Sequence, residues 1–571
     1  MNIINTALLR LVLLPAPLYN KMGVNSRHLK AILGAKLTMD DRRPNTFQQL
    51  QRNRDSKPVK LATLVTMLWS ALMGAFFLVS FRFGSNNETQ LTTYFIFYIA
   101  ILASVLIADF TSVLIDIRDN YIILPRPVSD KTFVLARLLH IAIHVCKMVL
   151  PMLLPGAIYM GLNYNAGGVA AFLLMAFMAT LFTIFLINAC YIFILKITTP
   201  EKFRNIISYI QIFFAVVFYA GFQLAPRLIN MAALQGFDIN QHQAAWLLPP
   251  YWFAGAWQQL YSFSGNARLL TCLALAIAVP PASTWVVIKY FAPSFNRKLS
   301  MISGSGAEAG QPRSVATPAV KSASSAYSGM LAGLLTKKGA ERMAFLFTWK
   351  MMLRSRDFKM KVYPAIGYII VILFVIVFTK QSFSIQDIRL QNNQGIITSL
   401  MVIYFSNIIL MSAISQVTMH EKFKAGWIFF TTPIQQPGRL ISGSVKAVIA
   451  QFFIPIMLVI IICLTVLAGF SILPNILFGM ANQLLITAVV AYITATRLPF
   501  TSPQQNDAGN NLFRVFAVML LGGLLGIGHF VLYRIPAVIG ILTILSALAA
   551  WLVLDGISRQ SWKKIISRYQ D

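Results

Sequence analysis

Acidic side chains are scarce in this chain: 18 Asp and Glu stand among 571 residues, against 48 Lys and Arg. Charged residues of both signs make up only 12% of the total, where soluble domains carry roughly 25%. That shortage removes most of the polar surface a soluble fold needs. Cysteine is rarer still, and Cys146, Cys190, Cys272 and Cys463 all fall inside apolar runs without metal-ligand or redox spacing. They read as small buried hydrophobes. No G-x-x-x-x-G-K-[ST] sequence occurs, and the glycines at Gly304 and Gly306 lack the lysine, strand and helix that a phosphate cradle requires. No H-E-x-x-H sequence occurs either, since His420-Glu421 has no second histidine at the required spacing. These absences leave neither an ATPase nor a membrane-embedded hydrolase supported, and the chain is not expected to be an enzyme.

What the sequence does hold is long apolar runs. Hydrophobic residues make up 57% and the mean hydropathy is +0.68. Runs of 18 or more apolar residues read as membrane helices. Twelve spans are expected, near 61–82, 92–115, 138–160, 168–195, 205–225, 269–291, 362–379, 396–418, 445–468, 475–496, 515–533 and 536–554. The segment Ala7–Pro17 is apolar but interrupted by Arg10, with no small-residue cleavage site after it. It is expected to lie as an interfacial helix rather than to be a signal peptide.

The net charge of +30 sits in the connections between apolar runs, not on a polar domain, which argues against nucleic acid as the partner. With the N-terminus inside, 41 of the 48 Lys and Arg fall in the inner connections or at inner helix ends, and six fall outside. Positive charge flanking spans faces the cytoplasm. Both termini are therefore expected to be cytoplasmic.

A stretch rich in Ser, Ala and Gly, 300–328, reads as a flexible linker and divides the chain into two halves of six spans. Three short patterns recur in order. Lys36 to Arg42 matches Lys350 to Arg356, Asn120 to Val128 matches Gly426 to Ile434, and Thr199-Pro200 matches Ser502-Pro503. The offsets, 314, 306 and 303 residues, are similar. An even number of spans per repeat makes the halves parallel. The expected architecture is an all-α membrane protein of two parallel six-helix repeats. Its parts are a cytoplasmic segment 1–60, a first half 61–291, a linker 292–342, a second half 343–554 and a basic tail 555–571. One asymmetry is expected: the outer loop 226–268 has no counterpart near Tyr533–Pro536. It should form a re-entrant or interfacial piece with Trp246, Tyr251, Trp252 and Trp257 at headgroup level.

The segment from Asp116 to Arg137 carries the most information. Charged residues follow a span, an apolar run Tyr121 to Leu124 comes next, then Pro125 and Pro127, then Ser129-Asp130-Lys131 as a cap for the following helix. A short amphipathic helix ending at a proline turn suits docking into a groove of a soluble partner. A plain interfacial helix between spans is the alternative. Within the bilayer, Asp109 and Lys147 lie at similar depth, near the inner ends of the second and third spans. They form a candidate pair, because each alone would cost roughly 3 kcal/mol. Snorkelling or contact with water is the alternative for each.

The run from Asp116 through Leu124-Pro125 and Ser129 to Leu138 resembles the first cytoplasmic loop of type-2 ATP-binding-cassette exporter permeases. The Lys36–Arg42 segment is similar to that family's interface helix, and Leu248 to Phe253 to its re-entrant outer segment. The resemblance covers nearly all of 28–291 and, more loosely, 343–554. The second half departs from it, with Phe430-Thr431 in place of Leu-Pro and Gln435 in place of Ser. The resemblance implies an exporter permease with both halves fused in a bacterial inner membrane, moved by separate cytoplasmic ATPase subunits, expected in two copies. No cofactor is implied in this chain, ATP-Mg residing in the partner; the other partner is membrane lipid, and nucleic acid is none. The resemblance places ATPase coupling at Asp116, Arg118, Asp119, Leu124, Pro125, Pro127 and Ser129, and at Glu421, Lys424 and Pro433. It places interface helices at Lys36, Arg42, Lys350 and Arg356. A twelve-span secondary transporter and a non-transporting scaffold are the competing readings.

Overall fold

The computed structural model describes residues 3–21, 23–42, 62–113, 127–198, 200–228, 235–286, 289, 323–378, 385–420, 422–495, 497–502 and 508–570. Among them there is no strand, only an isolated bridge between Met419 and Ser502. The α-helices are α1 (Ile3–Leu13), α2 (Ala16–Lys21), α3 (Ser26–Arg42), α4 (Ala62–Phe76), α5 (Asn87–Val113), α6 (Asp130–Asn163), α7 (Ala166–Ile197), α8 (Pro200–Leu228), α9 (Pro249–Ser262) and α10 (Ala267–Val286). They continue as α11 (Ala323–Leu335), α12 (Ala340–Arg354), α13 (Arg356–Phe378), α14 (Ile385–Leu390), α15 (Asn393–Phe405), α16 (Asn407–Val417) and α17 (Trp427–Thr431). The last are α18 (Gly438–Val448), α19 (Ile454–Ala468), α20 (Leu473–Thr494), α21 (Ala508–Leu532), α22 (Pro536–Ser558) and α23 (Trp562–Gln570).

Among the described residues, eight segments are long and apolar enough to cross a membrane: Asn87–Ile107, Lys131–Asn163, Ala166–Ile194, Ala267–Val286, Asn393–Val417, Gly438–Ala468, Phe470–Thr494 and Pro536–Ser558. At a rise of 1.5 Å per residue, even a 20-residue helix covers the roughly 30 Å of a bilayer core. The chain is a multi-pass membrane protein by this measure. The other four expected spans coincide with helices α4, α8, α13 and α21; the apolar stretches Thr66–Arg82, Asn205–Gly221 and Leu520–Leu532 at α4, α8 and α21 are shorter.

The chain divides into two compact units. The first takes Asp55–Ile207 and Ile229–Pro312 together with the N-terminal 49 residues. Its centre is aromatic: Tyr94, Phe95 and Tyr98 of α5, Phe172 of α7, and Phe253 and Trp257 of α9 are all fully buried. The polar tips of Tyr98 and Trp257 inside this core find partners, as most buried groups do. The Tyr98 hydroxyl lies 2.6 Å from Thr180 Oγ1, and Trp257 Nε1 donates to the Gly168 carbonyl at 2.9 Å. Helix α4 crosses α6 at Gly74, where a Cβ would lie 2.0 Å from the Met152 carbonyl oxygen, so only glycine permits the crossing.

Within 226–268, the described residues 239–262 form two short 3-10 turns followed by α9, which packs against α5, α7 and α10. The aromatic residues there differ in burial. Trp246 and Trp252 are partly exposed, but Tyr251 is 2% and Trp257 0% exposed. They face inward because their N–H and O–H groups have partners there: Tyr251 donates to Asn240 Oδ1 at 3.0 Å. One end of this unit is tied by Arg268, whose Nη2 reaches both Glu88 carboxylate oxygens at 2.9 Å.

The second unit contains Ser208–Leu228 and Arg313–Asp571. Residues of α8 pack on α13 within it: the Tyr219 ring lies tilted against that of Tyr368, centres 4.5 Å apart, and Lys359 Nζ donates to the Tyr209 hydroxyl at 3.1 Å. Two of its spans are interrupted. The expected span 396–418 is broken at Ser406 into α15 and α16, and the span 445–468 passes through a π-helical turn, Ile449–Phe453, between α18 and α19. Such turns carry an extra residue and cluster at functional positions.

Candidate coupling surface

The first expected coupling segment is mostly beyond view: Asp116, Arg118, Asp119, Leu124 and Pro125 lie outside the described residues. Pro127 and Ser129 are described. Ser129 is the N-cap of α6 in extended backbone, its hydroxyl accepting from the Thr132 amide at 3.4 Å, as the Ser-Asp-Lys pattern predicts. Thr132 Oγ1 in turn accepts from the Asn25 amide at 3.0 Å. Asn25 caps α3 through its Oδ1, which accepts from the amides of Arg27 and His28. Leu29, Leu33 and Leu37, spaced four apart, form one fully buried face of α3 that packs with Ala136 and Ile143 of α6. The Lys36 residue on this helix is 9% exposed. The Arg42 side chain lies outside the described residues.

The second segment is fully built except for Glu421, which lies outside the described residues. After α16 the backbone is stapled to 500–502: the His420 amide donates to the Ser502 carbonyl at 3.0 Å, Ser502 to Thr418 at 2.9 Å and Phe500 to Val417 at 3.0 Å. Phe500 takes a left-handed backbone, φ 57°, which few bulky residues adopt. Its ring packs edge-on at 5.8 Å against Phe347 of α12, which also meets Phe429 of α17 at 5.9 Å. Phe429 is thus the buried pin of α17. The rest of that short helix faces outward: Trp427 is 64%, Ile428 52% and Phe430 45% exposed. Lys424 and Pro433 flank it and are exposed. A cavity of about 450 Å³ lies beneath, lined by Met343, Met351, His420 and Thr432 among others.

Helix α12, which bears Lys350, packs along α18. Lys350 is exposed, and Arg356 begins the next helix, α13. The contact rests on a buried ion pair that the sequence reading missed. Glu341, 2% exposed at its side chain, accepts from Lys446 Nζ at 2.7 Å, Ser442 Oγ at 2.9 Å and the Lys337 amide at 2.9 Å. Burial pushes the Glu341 carboxyl up, but the Lys446 ammonium, the Lys337 amide and the Ser442 hydroxyl outweigh it and hold it below the usual carboxylate range. Gly443 allows the approach, since a Cβ there would lie 2.2 Å from the Glu341 carbonyl oxygen. Thr348 and Ser444 complete the seam with a hydroxyl contact of 2.9 Å.

Of the expected intramembrane pair, Lys147 is 7% exposed on α6, and the Asp109 side chain lies outside the described residues. A different polar cluster is buried in the second unit. Tyr404 lies 3.2 Å from His529 Nδ1 and accepts from Asn482 Nδ2 at 2.9 Å. Asn482 Oδ1 accepts from Ser546 at 2.8 Å, and His529 Nε2 lies 3.3 Å from Asn475 Oδ1. Asn475 and Asn482 are seven residues apart, two helical turns, and so share a face. That spacing was the available signal. An apolar cavity of about 500 Å³ adjoins Tyr404, lined by Met401, Phe405 and Ile527 among others. Among the described residues no cluster of three or more His, Cys, Asp or Glu side chains offers a metal site.

No family model, curated protein or solved structure matches the chain.

Proposed function

We propose that the chain is the membrane-spanning subunit of an exporter of the type-2 ATP-binding-cassette kind. It has no catalysis of its own and is moved by a separate cytoplasmic ATPase. On this reading it lies in a bacterial inner membrane with both termini inside, as twelve spans in two parallel repeats. The observation that carries the reading is α17. A five-residue helix presents Trp427, Ile428 and Phe430 outward while Phe429 fixes it to α12. Exposed aromatic groups on a rigid support are the composition of a binding hot spot. The shared plan of the units supports the repeat: α3 packs on the start of α6 as α12 packs on α18, and α5 meets α7 as α15 and α16 meet α20.

The mechanism is mechanical. Closure of the ATPase on ATP would push α17, and the Phe429–Phe347 contact and the Glu341–Lys446 pair would pass that push to α12 and α18. Differential contact in two states is what such a ligand-driven change requires. The test is co-purification with the ATPase, followed by ATP hydrolysis. Trp427→Asp should weaken the complex by about thirtyfold, the scale of one hot spot of roughly 2 kcal/mol. Asp119→Lys and Pro125→Ala should lower the stimulated hydrolysis. Unchanged complex and activity in all three would refute the coupling role.

The competing reading, a secondary transporter, is favoured by one observation, the buried cluster of His529, Tyr404 and Asn482. ATPase-independent, proton-driven transport that is lost in His529→Leu would select it.

A further inference from the structure

The last helix, α23, is nine residues long and has no acidic residue: Trp562-Lys-Lys-Ile-Ile-Ser-Arg-Tyr-Gln570. Ile565 is fully buried, while Lys563 and Lys564 are exposed. Two features put this helix at the level where spans end. It follows α22 after three residues, and Lys564 Nζ lies 5.1 Å from the ring centre and 3.3 Å from the hydroxyl of Tyr492, two residues before the end of α20. Tyrosine near a span end is characteristic of the headgroup region. The nearby acid Asp555 is taken up by Arg559 at 2.6 Å, so the face keeps its positive charge.

The same helix is joined to the segment that carries α17. Trp562 Nε1 donates to the Ile434 carbonyl at 2.6 Å, and its ring lies 5.8 Å from Phe430. Just before the helix, the Gln560 carbonyl accepts from the Gly438 amide at 3.2 Å. A side chain at 438 would run into the chain, since a Cβ would lie 2.4 Å from the Ile557 carbonyl oxygen and 2.7 Å from the Gln560 amide nitrogen. Whatever holds α23 therefore also holds the segment from Ile428 to Gly438.

We infer that the basic face of α23 docks on anionic phospholipid headgroups, and that this contact steadies the α17 segment through Trp562. Charge complementarity and the position at the ends of α20 and α22 favour a lipid surface over an acidic soluble protein. The docking itself needs no ATPase. Only its effect on nucleotide-driven movement rests on the function proposed above.

The test is amide hydrogen exchange on the full chain in nanodiscs of phosphatidylcholine, with and without phosphatidylglycerol. Each lysine near an anionic leaflet contributes about fivefold, so two predict exchange in 562–570 slower by about thirtyfold with phosphatidylglycerol. The 427–438 segment should slow in parallel. Lys563→Gln with Lys564→Gln should abolish both effects. Trp562→Phe, which keeps the ring and loses the N–H, should keep the first effect and reduce the second. Equal exchange in the two lipids, or a lipid effect that survives the double lysine substitution, overturns the docking. Slowing of 562–570 without 427–438 overturns the linkage. Protection that arises only when the soluble ATPase is added assigns the basic face to that protein and overturns the proposal, while the coupling reading stands.

Discussion

Replacing Glu341 by Gln tests the join between α12 and α18 most directly. The carboxylate holds three donors from α18 and the turn before α12, Lys446, Ser442 and the Lys337 amide, all within 2.9 Å. Removing one member of a fully buried ion pair costs about 3–5 kcal/mol. Lys446 is 25% exposed and can recover part of its hydration, and Gln can still accept one hydrogen bond. The expected loss is therefore about 2–3 kcal/mol. Lys446→Met, which leaves the 2%-exposed Glu341 carboxylate without its cation, should cost at least as much alone, and the double variant should recover part of the deficit, giving a coupling of about 1.5 kcal/mol. Helix loss during SDS titration of the detergent-solubilised chain, followed by circular dichroism, measures all four members of the cycle. The carboxyl is held low in the fold, so its contribution is complete above its unfolded value of about 4.3 and disappears as pH falls through the lower folded value. The stability gap between the native chain and the Glu341→Gln variant should hold constant from about pH 8 to pH 5 and close below that. A coupling under about 0.5 kcal/mol, or a gap that widens in acid, refutes the account.

Three further outcomes follow from particular contacts. Trp257→Phe removes the N–H that satisfies the Gly168 carbonyl inside the first unit and should cost about 1–3 kcal/mol in the same titration, with a loss below about 0.5 kcal/mol counting against that bond. Gly438→Val places a side chain against the backbone of Ile557 and Gln560, so proteolysis near 558–562 should accelerate severalfold; unchanged cleavage would show the turn can yield. His529→Leu removes partners of Tyr404 and Asn475 and should destabilise by about 1 kcal/mol, the scale of interhelical hydrogen bonds in membranes, with no change expected if water substitutes for the ring.

Much of the architecture was legible because membrane helices announce themselves by length and composition. Eight of the expected spans coincide with helices that meet the criterion for crossing, and Ser129 is legible as a cap from its position before Asp130-Lys131. Helix ends were harder. Helix α6 runs from Asp130 to Asn163, longer than the expected 138–160, straight through Pro151 and Pro155. Proline is a poor stop signal inside a membrane protein, where neighbouring helices re-satisfy the freed carbonyls. The break at Ser406 was invisible because its cause is tertiary: the Ser406 hydroxyl is drawn to Gln483 on α20 and to the Ile403 carbonyl. Glu341 and Lys446 went unpaired in the reading for the same reason, since 105 residues separate them and no local periodicity links them. Residue type alone did not show that Tyr251 and Trp257 are buried, each with an acceptor: Asn240 Oδ1 for Tyr251 and the Gly168 carbonyl for Trp257.

Helix α8 has a consequence for anyone who would divide this chain. Its residues from Ser208 onward belong to the second compact unit, although they precede the Ser-rich stretch by about 70 to 90 positions. A gene cut between 292 and 342 would yield a C-terminal polypeptide missing the partner of Tyr368 and Lys359, left behind on the other product. Each fragment would need its sibling to complete itself, so two-plasmid reconstitution should succeed only when both are made together.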